Sequence, residues 1–440
     1  MKEHIVIRVG EDDEFLPSVK SDEVTHIIGF GSTDQKENVR ENVSRLLEEY
    51  GLTPSPAAWD LIRMAMAVYS ADFCTKRKDG FNSWTRNLHL HLAVHELEKW
   101  TAASETLVKM LRFLSGDHWE ISLRKTDSEP FEFEEKELEI APTSASLFSG
   151  GLDSFIGAID KLSSDEPLAL VGHHGAGVTN SAQQNTHEAI EEYFPEKTIF
   201  FDYWVVHPSG VKSVENTMRA RSILFISLGV LTASCLGERV PLFVPENGLI
   251  SINSPLTEAR AGSNSTRTTH PYFVGKYNEL LDQLGITVEV CLPNRFDTKG
   301  EMAKGVLETE VFAKTFNRTM SCSHPESGRW SGEKPSSHCG YCVPCIIRRA
   351  SLNAAGLDCG NDYVLDILTD EIDNKSDKAR DLRAFQMALE RQSGWSDIRL
   401  MMAINDSGPI PPELAKDYLG VYKRGMEEVR QLLNKSTVSK

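Results

Sequence analysis

Ser149-Gly150-Gly151-Leu152-Asp153-Ser154 follows the short apolar run Ser146-Leu147-Phe148 and precedes a helical pattern that begins at Phe155. A strand that feeds a glycine turn opening onto a helix is the junction of a strand–helix unit, so this stretch points to a fold in which strands and helices alternate. The junction also has a chemical consequence. Unpaired backbone N–H groups and the positive end of the helix dipole meet at the turn, which makes it a natural seat for an anion. Gly150 and Gly151 let the backbone approach such an anion closely, because no side chain stands in the way. Ser149 and Ser154 offer hydroxyls to phosphate oxygens. Asp153 would repel a bare phosphate, so its natural role is to hold a Mg²⁺ that bridges to it. No Gly-Lys-Ser/Thr follows the glycines, so this is not a Walker A loop. The plain alternative is an ordinary strand–helix turn that contains two glycines.

The alternation continues downstream. Strand candidates are Ala145–Phe148, Leu168–Gly172, Thr198–Tyr203, Pro241–Pro245 and Thr287–Leu292, with helices between them over Asp153–Leu162, Ala182–Tyr193 and Thr217–Leu236. The expected fold class is α/β, a doubly wound and mostly parallel sheet. Ligands of such sheets bind beyond the carboxyl ends of the strands, near the point where strand order reverses. Ser149–Asp153, His173-His174-Gly175 and Glu246-Asn247-Gly248 fall there.

A second cluster lies at 338 to 350, His-Cys-Gly-Tyr-Cys-Val-Pro-Cys-Ile-Ile-Arg-Arg-Ala, with Cys322 upstream. Two residues separate Cys339 from Cys342 and Cys342 from Cys345, and Cys322 completes a set of four. Four thiolates suit a closed tetrahedral Zn²⁺ site that clips distant segments together and leaves no position for a substrate. An iron–sulfur cluster is the rival occupant, and His324 or His338 could replace one cysteine. Cys74, Cys235, Cys291 and Cys359 are scattered and read as ordinary core residues.

Taken together, the two motifs mark a family. The loop resembles the PP-loop of ATP pyrophosphatases, which cleave ATP between the α- and β-phosphates. With Cys339-Gly340-Tyr341-Cys342-Val343-Pro344-Cys345-Ile346-Ile347-Arg348 far downstream, the pattern resembles QueC, the 7-cyano-7-deazaguanine synthase family, over about residues 143 to 355. Arg221-Ser222 is similar to an Arg-Asn segment of that family. Thr298-Lys299-Gly300-Glu301 is similar to its Lys-Thr-Lys-x-Glu stretch, although Thr-x-x-Glu before a helix is also a capping box. The resemblance implies ATP, Mg²⁺ and Zn²⁺ as cofactors and Asp153, Lys299 and Arg221 as catalytic residues. ATP contacts would come from Ser149, Gly150, Gly151, Leu152, Asp153 and Ser154.

The chain departs from ordinary QueC proteins in length and in its substrate segment. It has Glu246-Asn247-Gly248, Asn253-Ser254-Pro255-Leu256, Arg260 and Ser265-Thr266-Arg267-Thr268-Thr269-His270, and His173-His174-Gly175 also departs from the family pattern. Arg260 and Arg267 could grip a carboxylate bidentately, with His174, Glu246 and Asn247 as further substrate contacts; the plain alternative is a polar surface loop. The enlarged pattern resembles the QueC-like proteins of bacterial anti-phage clusters, those of the Qat system (QatC) and of type IV CBASS. That resemblance implies adenylation of a 7-deazaguanine carboxylate and its transfer to an amine, the N-terminus of a partner protein. Two other readings stay open: a conventional nitrile-forming synthase that uses ammonia, and a non-catalytic nucleotide-binding scaffold.

At 440 residues the chain has room for two or three domains. The expected division is an α+β N-terminal domain over 1–140, the ATPase domain over 141–360 and a helical C-terminal extension over 361–440, in which Pro411-Pro412 starts an amphipathic stretch to about Leu433. Within the first region, strand-like segments fall at His4–Val9, Trp119–Leu123 and Phe131–Ile140, where the acidic run Glu132–Glu139 could form an edge strand or a solvated connector, and helical patterns at 36–50, 56–72 and 101–115. His89, His91 and His95 read as core or surface histidines rather than a metal site, because no His-Glu-x-x-His occurs. Trp84, Arg86, Asp117 and Trp119 read as packing or partner-contact residues. The net charge of −17, from 47 basic and 64 acidic side chains, argues against tRNA or DNA and for a small-molecule or protein substrate. No apolar run approaches a membrane span, no signal-peptide hydrophobic stretch opens the chain, and thiols committed to a metal imply a reducing cytoplasm.

Overall fold

A computed structural model describes residues 2–31, 37–128, 130, 132–174, 177–208, 215, 219–257, 267–332 and 337–436. It is a mixed α/β structure built on two parallel sheets. The first comes from β1 (Lys2–Val9), β2 (Val24–Phe30), β4 (Asn87–Val94) and β5 (His118–Lys125), in the order β2-β1-β4-β5. With them come β3 (Arg40–Glu41), α1 (Val43–Tyr50), α2 (Pro56–Cys74) and α3 (Leu97–Ser115). The second sheet comprises β6 (Ser144–Leu147), β7 (Leu168–His173), β8 (Thr198–Tyr203), β10 (Leu242–Phe243) and β11 (Val290–Cys291), in the order β11-β10-β6-β7-β8. Its helices are α4 (Leu152–Leu162), α5 (Gly177–Tyr193), α6 (Arg221–Leu236), α7 (Gly248–Ile252), α8 (Pro271–Leu284), α9 (Lys299–Gly305) and α10 (Glu310–Thr315). Short β9 (Val205–Val206) pairs antiparallel with β3 and so links the two sheets' segments. After α11 (Ser327–Ser331) and α12 (Val343–Ala354), the chain ends in α13 (Arg380–Gln392), α14 (Asp397–Asn405) and α15 (Ala415–Leu433).

Period-two alternation explains the layering. Leu168 and Leu170 of β7 face α4 and α5, with Phe155, Ile159, Ala189 and Ile190. Ala169 and Val171, on the opposite face, join Phe201 and Tyr203 against α6 and α8. Every residue of β7 is buried, as a central parallel strand requires. The outer surfaces of α6 and α8 pack on α2 and α3, whose far side meets Ile5, Ile7, Leu88, Leu90 and Leu92 of the first sheet. One apolar core therefore runs from the first sheet to the second, with no break near residue 140. A separate core joins α7 and α12 to α13, α14 and α15.

A buried ionic network reinforces the first junction. Arg86 Nη2 lies 2.6 Å from both Asp72 Oδ1 and Asp117 Oδ2, and Arg77 Nη1 lies 3.1 Å from Asp117 Oδ1. Asp72 Oδ2 also accepts from the Ala220 amide at 3.1 Å, so its carboxylate sits at the N-terminus of α6, where the helix dipole favours it. Arg86 and Asp117 are thus packing residues, one of the two roles their sequence suggests. The segment 132–140 is not a strand: it crosses α1, with Lys136 Nζ donating to the Glu48 and Glu49 carbonyls at 3.0 Å. Phe131 lies outside the described residues.

Truncating Arg86 to Ala would remove the closer of the two guanidinium groups that Asp72 and Asp117 share and leave them to Arg77; breaking a buried pair in this way costs about 3–5 kcal/mol. Burial pushes the Asp117 carboxyl up, but the hydrogen bonds and charge of Arg86 outweigh that and hold it below its ordinary value of 3.8. A depressed carboxyl stabilises the fold above its unfolded value, and the contribution is lost as pH falls through the folded one. Urea unfolding should therefore show Arg86→Ala strongly destabilised at pH 7, with the gap to wild type narrowing below about pH 4; a constant gap would contradict the assignment.

Candidate functional site

In the central sheet, the chain moves outward from β6 to β7 and β8 on one side and later to β10 and β11 on the other. Strand order therefore reverses between β6 and β10, and the loops leaving these two strands meet at a crevice. Ser149–Gly151 leaves β6, and Glu246-Asn247 follows β10.

The glycine loop has the geometry its sequence implies. Gly150 adopts φ +73°, and a Cβ there would lie 2.5 Å from the Gln183 backbone nitrogen, so only glycine fits. Gly151 caps α4. The serine hydroxyls are engaged within the loop: Ser154 Oγ accepts from Ser149 N at 3.2 Å and donates to the Gly151 carbonyl at 3.0 Å, while Ser149 Oγ accepts from Gly151 N at 3.3 Å. Leu152 N donates to Ser321 Oγ at 3.1 Å. A phosphate entering here would take over amide donors that the Ser149 and Ser321 hydroxyls now satisfy.

Asp153 stands in the first turn of α4 and is buried. Its Oδ2 accepts from Asn247 Nδ2 at 2.8 Å and lies 3.3 Å from Lys299 Nζ, whereas its Oδ1 is buried with no hydrogen-bond partner. A carboxylate oxygen left bare inside a protein is costly unless a cation meets it, so Asp153 could receive a cation at this oxygen. Burial pushes the neighbouring Glu246 up to about 7, assisted by the charge of Asp153, and Thr269 Oγ1 donates to it at 2.7 Å. Asn247 does more than its position in the chain suggests, since its Oδ1 also caps α7 by accepting from Ile250 N at 3.1 Å.

Lys299 is placed by a capping box. Glu301 N donates to Thr298 Oγ1 at 3.0 Å and Thr298 N to Glu301 Oε2 at 2.8 Å, so Thr298–Glu301 is the start of α9. The C-terminal helix α15 grips this turn. Thr298 Oγ1 donates to Glu428, and Arg424 donates to Glu301 from Nε at 2.6 Å and from Nη2 at 3.2 Å.

The remaining expected residues are dispersed. Arg221 does not bond Asp153 or Lys299; its guanidinium donates to His173 Nδ1 and to the His173 carbonyl, each at 3.3 Å. His174 is exposed, 3.8 Å from Asp202. Arg267 is not a free clamp for a carboxylate: its Nη1 donates to the Phe113 carbonyl at 2.8 Å and its guanidinium lies over the Phe113 ring. Arg260, Ser265 and Thr266 lie outside the described residues. Ser254 and Leu256 are buried and bond to the C-terminal helices, Ser254 Oγ to the Ala403 carbonyl at 3.1 Å and the Leu256 carbonyl to Arg391 at 3.2 Å, so they form no polar surface loop.

The four cysteines do come together. One sulfur from each lies within 4.8 Å of the others, with Cys322 to Cys342 at 4.0 Å and Cys339 to Cys345 at 3.7 Å. A tetrahedral site with metal–sulfur bonds near 2.3 Å places its sulfurs roughly 3.8 Å apart, so the cluster could hold a single metal ion such as zinc. Backbone amides of His324 and Cys339 donate to Cys322 Sγ at 3.3 and 3.4 Å, the orientation that supports thiolate ligands. Hydrogen bonds from Cys322, Cys339 and Cys345 hold the Cys342 thiol far below its ordinary range. His324 Nδ1 stands 3.9 Å from Cys339 Sγ, next to the thiols rather than in place of one, and His338 Nε2 accepts from Ser321 N at 3.2 Å.

This element braces the glycine loop. Met320 N donates to the Gly150 carbonyl at 2.9 Å and Ser321 supplies the hydroxyl for Leu152 N, one residue before Cys322. A cavity of about 530 Å³, lined by Val178, Ala182, Asn185, Arg318, Met320 and His338, opens beside the same segment. Ser321, Arg424 and Glu428 were not singled out by the sequence: each acts through a contact distant in the chain and carries no local motif.

Cys342→Ser should remove one metal equivalent, lower the melting temperature and speed amide hydrogen exchange across residues 148–156; unchanged exchange there would show that the brace does not depend on the metal. The raised carboxyl of Glu246 favours the protonated native protein, so its ionisation costs stability as pH rises from about 4.5 through about 7. Mg²⁺ should offset that cost, giving a larger melting-temperature increase at pH 8 than at pH 6, and Glu246→Gln should abolish the difference. An equal Mg²⁺ effect at both pH values would remove Glu246 from the cation site.

Among the described residues, no helix is long and apolar enough to cross a membrane. No protein-family model matches this chain, and no characterised protein matches it in sequence.

Proposed function

We propose that this chain is an ATP-dependent ligase that adenylates a carboxylate and passes the acyl group to an amine. The observation that carries the reading is Asp153, a buried carboxylate at the N-terminus of α4 with one oxygen fixed by Asn247 and Lys299 and the other bare. Such an oxygen beside a glycine turn suits Mg²⁺ on a triphosphate better than it suits packing alone. The bound ion would neutralise phosphate charge and polarise the bridging oxygens.

The chain's own groups divide the remaining work. The amides of Gly151 and Leu152, freed from Ser149 and Ser321, would hold the β- and γ-phosphates at the helix N-terminus. Lys299 Nζ, fixed beside Asp153, would balance charge as the substrate carboxylate oxygen attacks the α-phosphorus and the bond to the β-phosphate breaks, releasing pyrophosphate. An amine nitrogen then attacks the acyl carbon; AMP departs and the amine's proton passes to solvent. Arg221, held against His173, positions the carboxyl end of β7 beside this crevice. The QueC-like motifs supply the substrate class, a 7-deazaguanine carboxylate. The likeness to the enlarged anti-phage members supplies the acceptor, the N-terminal amine of a partner protein in the cytoplasm.

Intact-protein mass spectrometry tests this directly. With Mg-ATP, 7-carboxy-7-deazaguanine and candidate partner proteins, one partner should gain the acyl mass while AMP and pyrophosphate appear. Asp153→Asn should lower pyrophosphate release by about 100-fold or more while keeping the wild-type circular dichroism. An unmodified partner with accumulating nitrile would make the chain a conventional synthase. Failure to release pyrophosphate would leave a nucleotide-binding scaffold.

A further inference from the structure

The face of the first sheet turned away from α2 and α3 carries His4, His89 and His91. His89 and His91 are two residues apart on β4 and so share a face, and His4 is in register with His89 on the adjacent strand β1. One ring nitrogen from each lies within 4.8 Å of one from each of the others. The rings gather closely, with centroids 4.1 Å apart for His89 and His91 and 5.2 Å for His4 with either. His4 and His91 are buried and His89 nearly so.

Their hydrogen bonds turn the ring nitrogens toward one another, and one of these nitrogens, His89 Nδ1, has no hydrogen-bond partner. His4 Nε2 is bonded to Glu23 Oε2 at 3.1 Å, which directs its Nδ1 to His91 Nε2 at 2.9 Å. His89 Nε2 is bonded to Ser122 Oγ at 2.8 Å, and its Nδ1 is buried with no hydrogen-bond partner. A ring whose outer nitrogen is held by a carboxylate or hydroxyl has its inner nitrogen aimed, the arrangement found behind metal-ligating histidines, and an ion would replace the His4–His91 hydrogen bond.

We infer that His4, His89 and His91 form a second metal site, for one divalent transition ion of the zinc class, with Glu23 and Ser122 orienting two of the rings. Three imidazoles favour zinc, copper, nickel or cobalt over magnesium or calcium, and they leave a fourth position for water or another ligand. An ion there would tie β1 to β4 and, through Glu23, anchor the start of β2. It is independent of the Cys322 cluster and of the proposed ligase reaction. The site escapes a motif search because its ligands sit on two strands, with His4 and His91 87 residues apart.

Zinc content by mass spectrometry and Co²⁺ titration test it on the full chain. Wild type should bind one more zinc equivalent than His89→Ala, with both showing the same circular dichroism. The wild-type minus His89→Ala difference spectrum with Co²⁺ should show d–d bands without thiolate charge transfer. His91→Gln should behave as His89→Ala does, which covers the case of one variant failing to fold. Equal zinc content in wild type and a folded histidine variant, or a featureless difference spectrum, would overturn the site.

Discussion

Asp153 needs a counter-charge where it is buried, and the way that need is met organises the crevice. Its Oδ2 is shared by Asn247, from the cap of α7, and Lys299, from the first residue of α9. Two helices far apart in sequence therefore converge on one oxygen. Removing either partner would leave charge exposed to a poorly solvating interior, which is far more costly than breaking a surface pair. Both helices rest on α15: Gly248 of α7 lies so close to Val421 that a Cβ would meet it at 2.8 Å, and Glu428 and Arg424 hold the first turn of α9. The C-terminal helices are thus part of the site's foundation, although none of their residues lies in the glycine loop.

The loop itself is held from the opposite direction. Met320 and Ser321 bond to Gly150 and Leu152, and the next residue is the first cysteine of the four. A metal among those thiols would have no vacant position for chemistry, but it would fix the segment on which the loop leans. Misplacement of reacting groups by about 1 Å can cost 100-fold in rate. A rigid clip next to Ser321, which bonds the loop, would therefore matter to the proposed reaction even though it touches no substrate.

What could be read from the sequence follows from how local each signal is. The glycine turn, the cysteine spacing and the Thr298–Glu301 capping box lie within a few residues, and all three appear in the structure as read. β8 was legible from end to end, because Thr198–Tyr203 is a continuous run bounded by turn residues. The candidates at 241–245 and 287–292 shrink to the two-residue strands β10 and β11, since pairing length depends on the neighbour. Phe133 alternating with carboxylates resembles a strand, yet the stretch pairs with no strand and lies across α1, with Phe133 N bonded to Thr53 Oγ1. The contacts of Arg267 were illegible for a similar reason. Its partner, the Phe113 carbonyl, is 154 residues away and belongs to α3.

The charge of the chain sharpens the picture once burial is known. Arg63, Arg77, Arg86, Arg348, Arg349 and Lys299 are buried, so these cations serve internal networks and cannot form a basic stripe for a nucleic acid. Glu3, Asp60, Asp72, Asp117 and Asp153 are buried as well, which leaves an exterior about as acidic as the formal −17. Such a surface repels a polyanion at distances up to the Debye length, about 8 Å in physiological salt. Under the proposed reaction, a nucleotide paired with Mg²⁺ would carry less charge, and the attraction it met would be local: helix amides, Lys299 and an ion on Asp153. If the crevice works as proposed, an acidic exterior around it would favour small chelated anions over long ones and a partner with a basic docking surface.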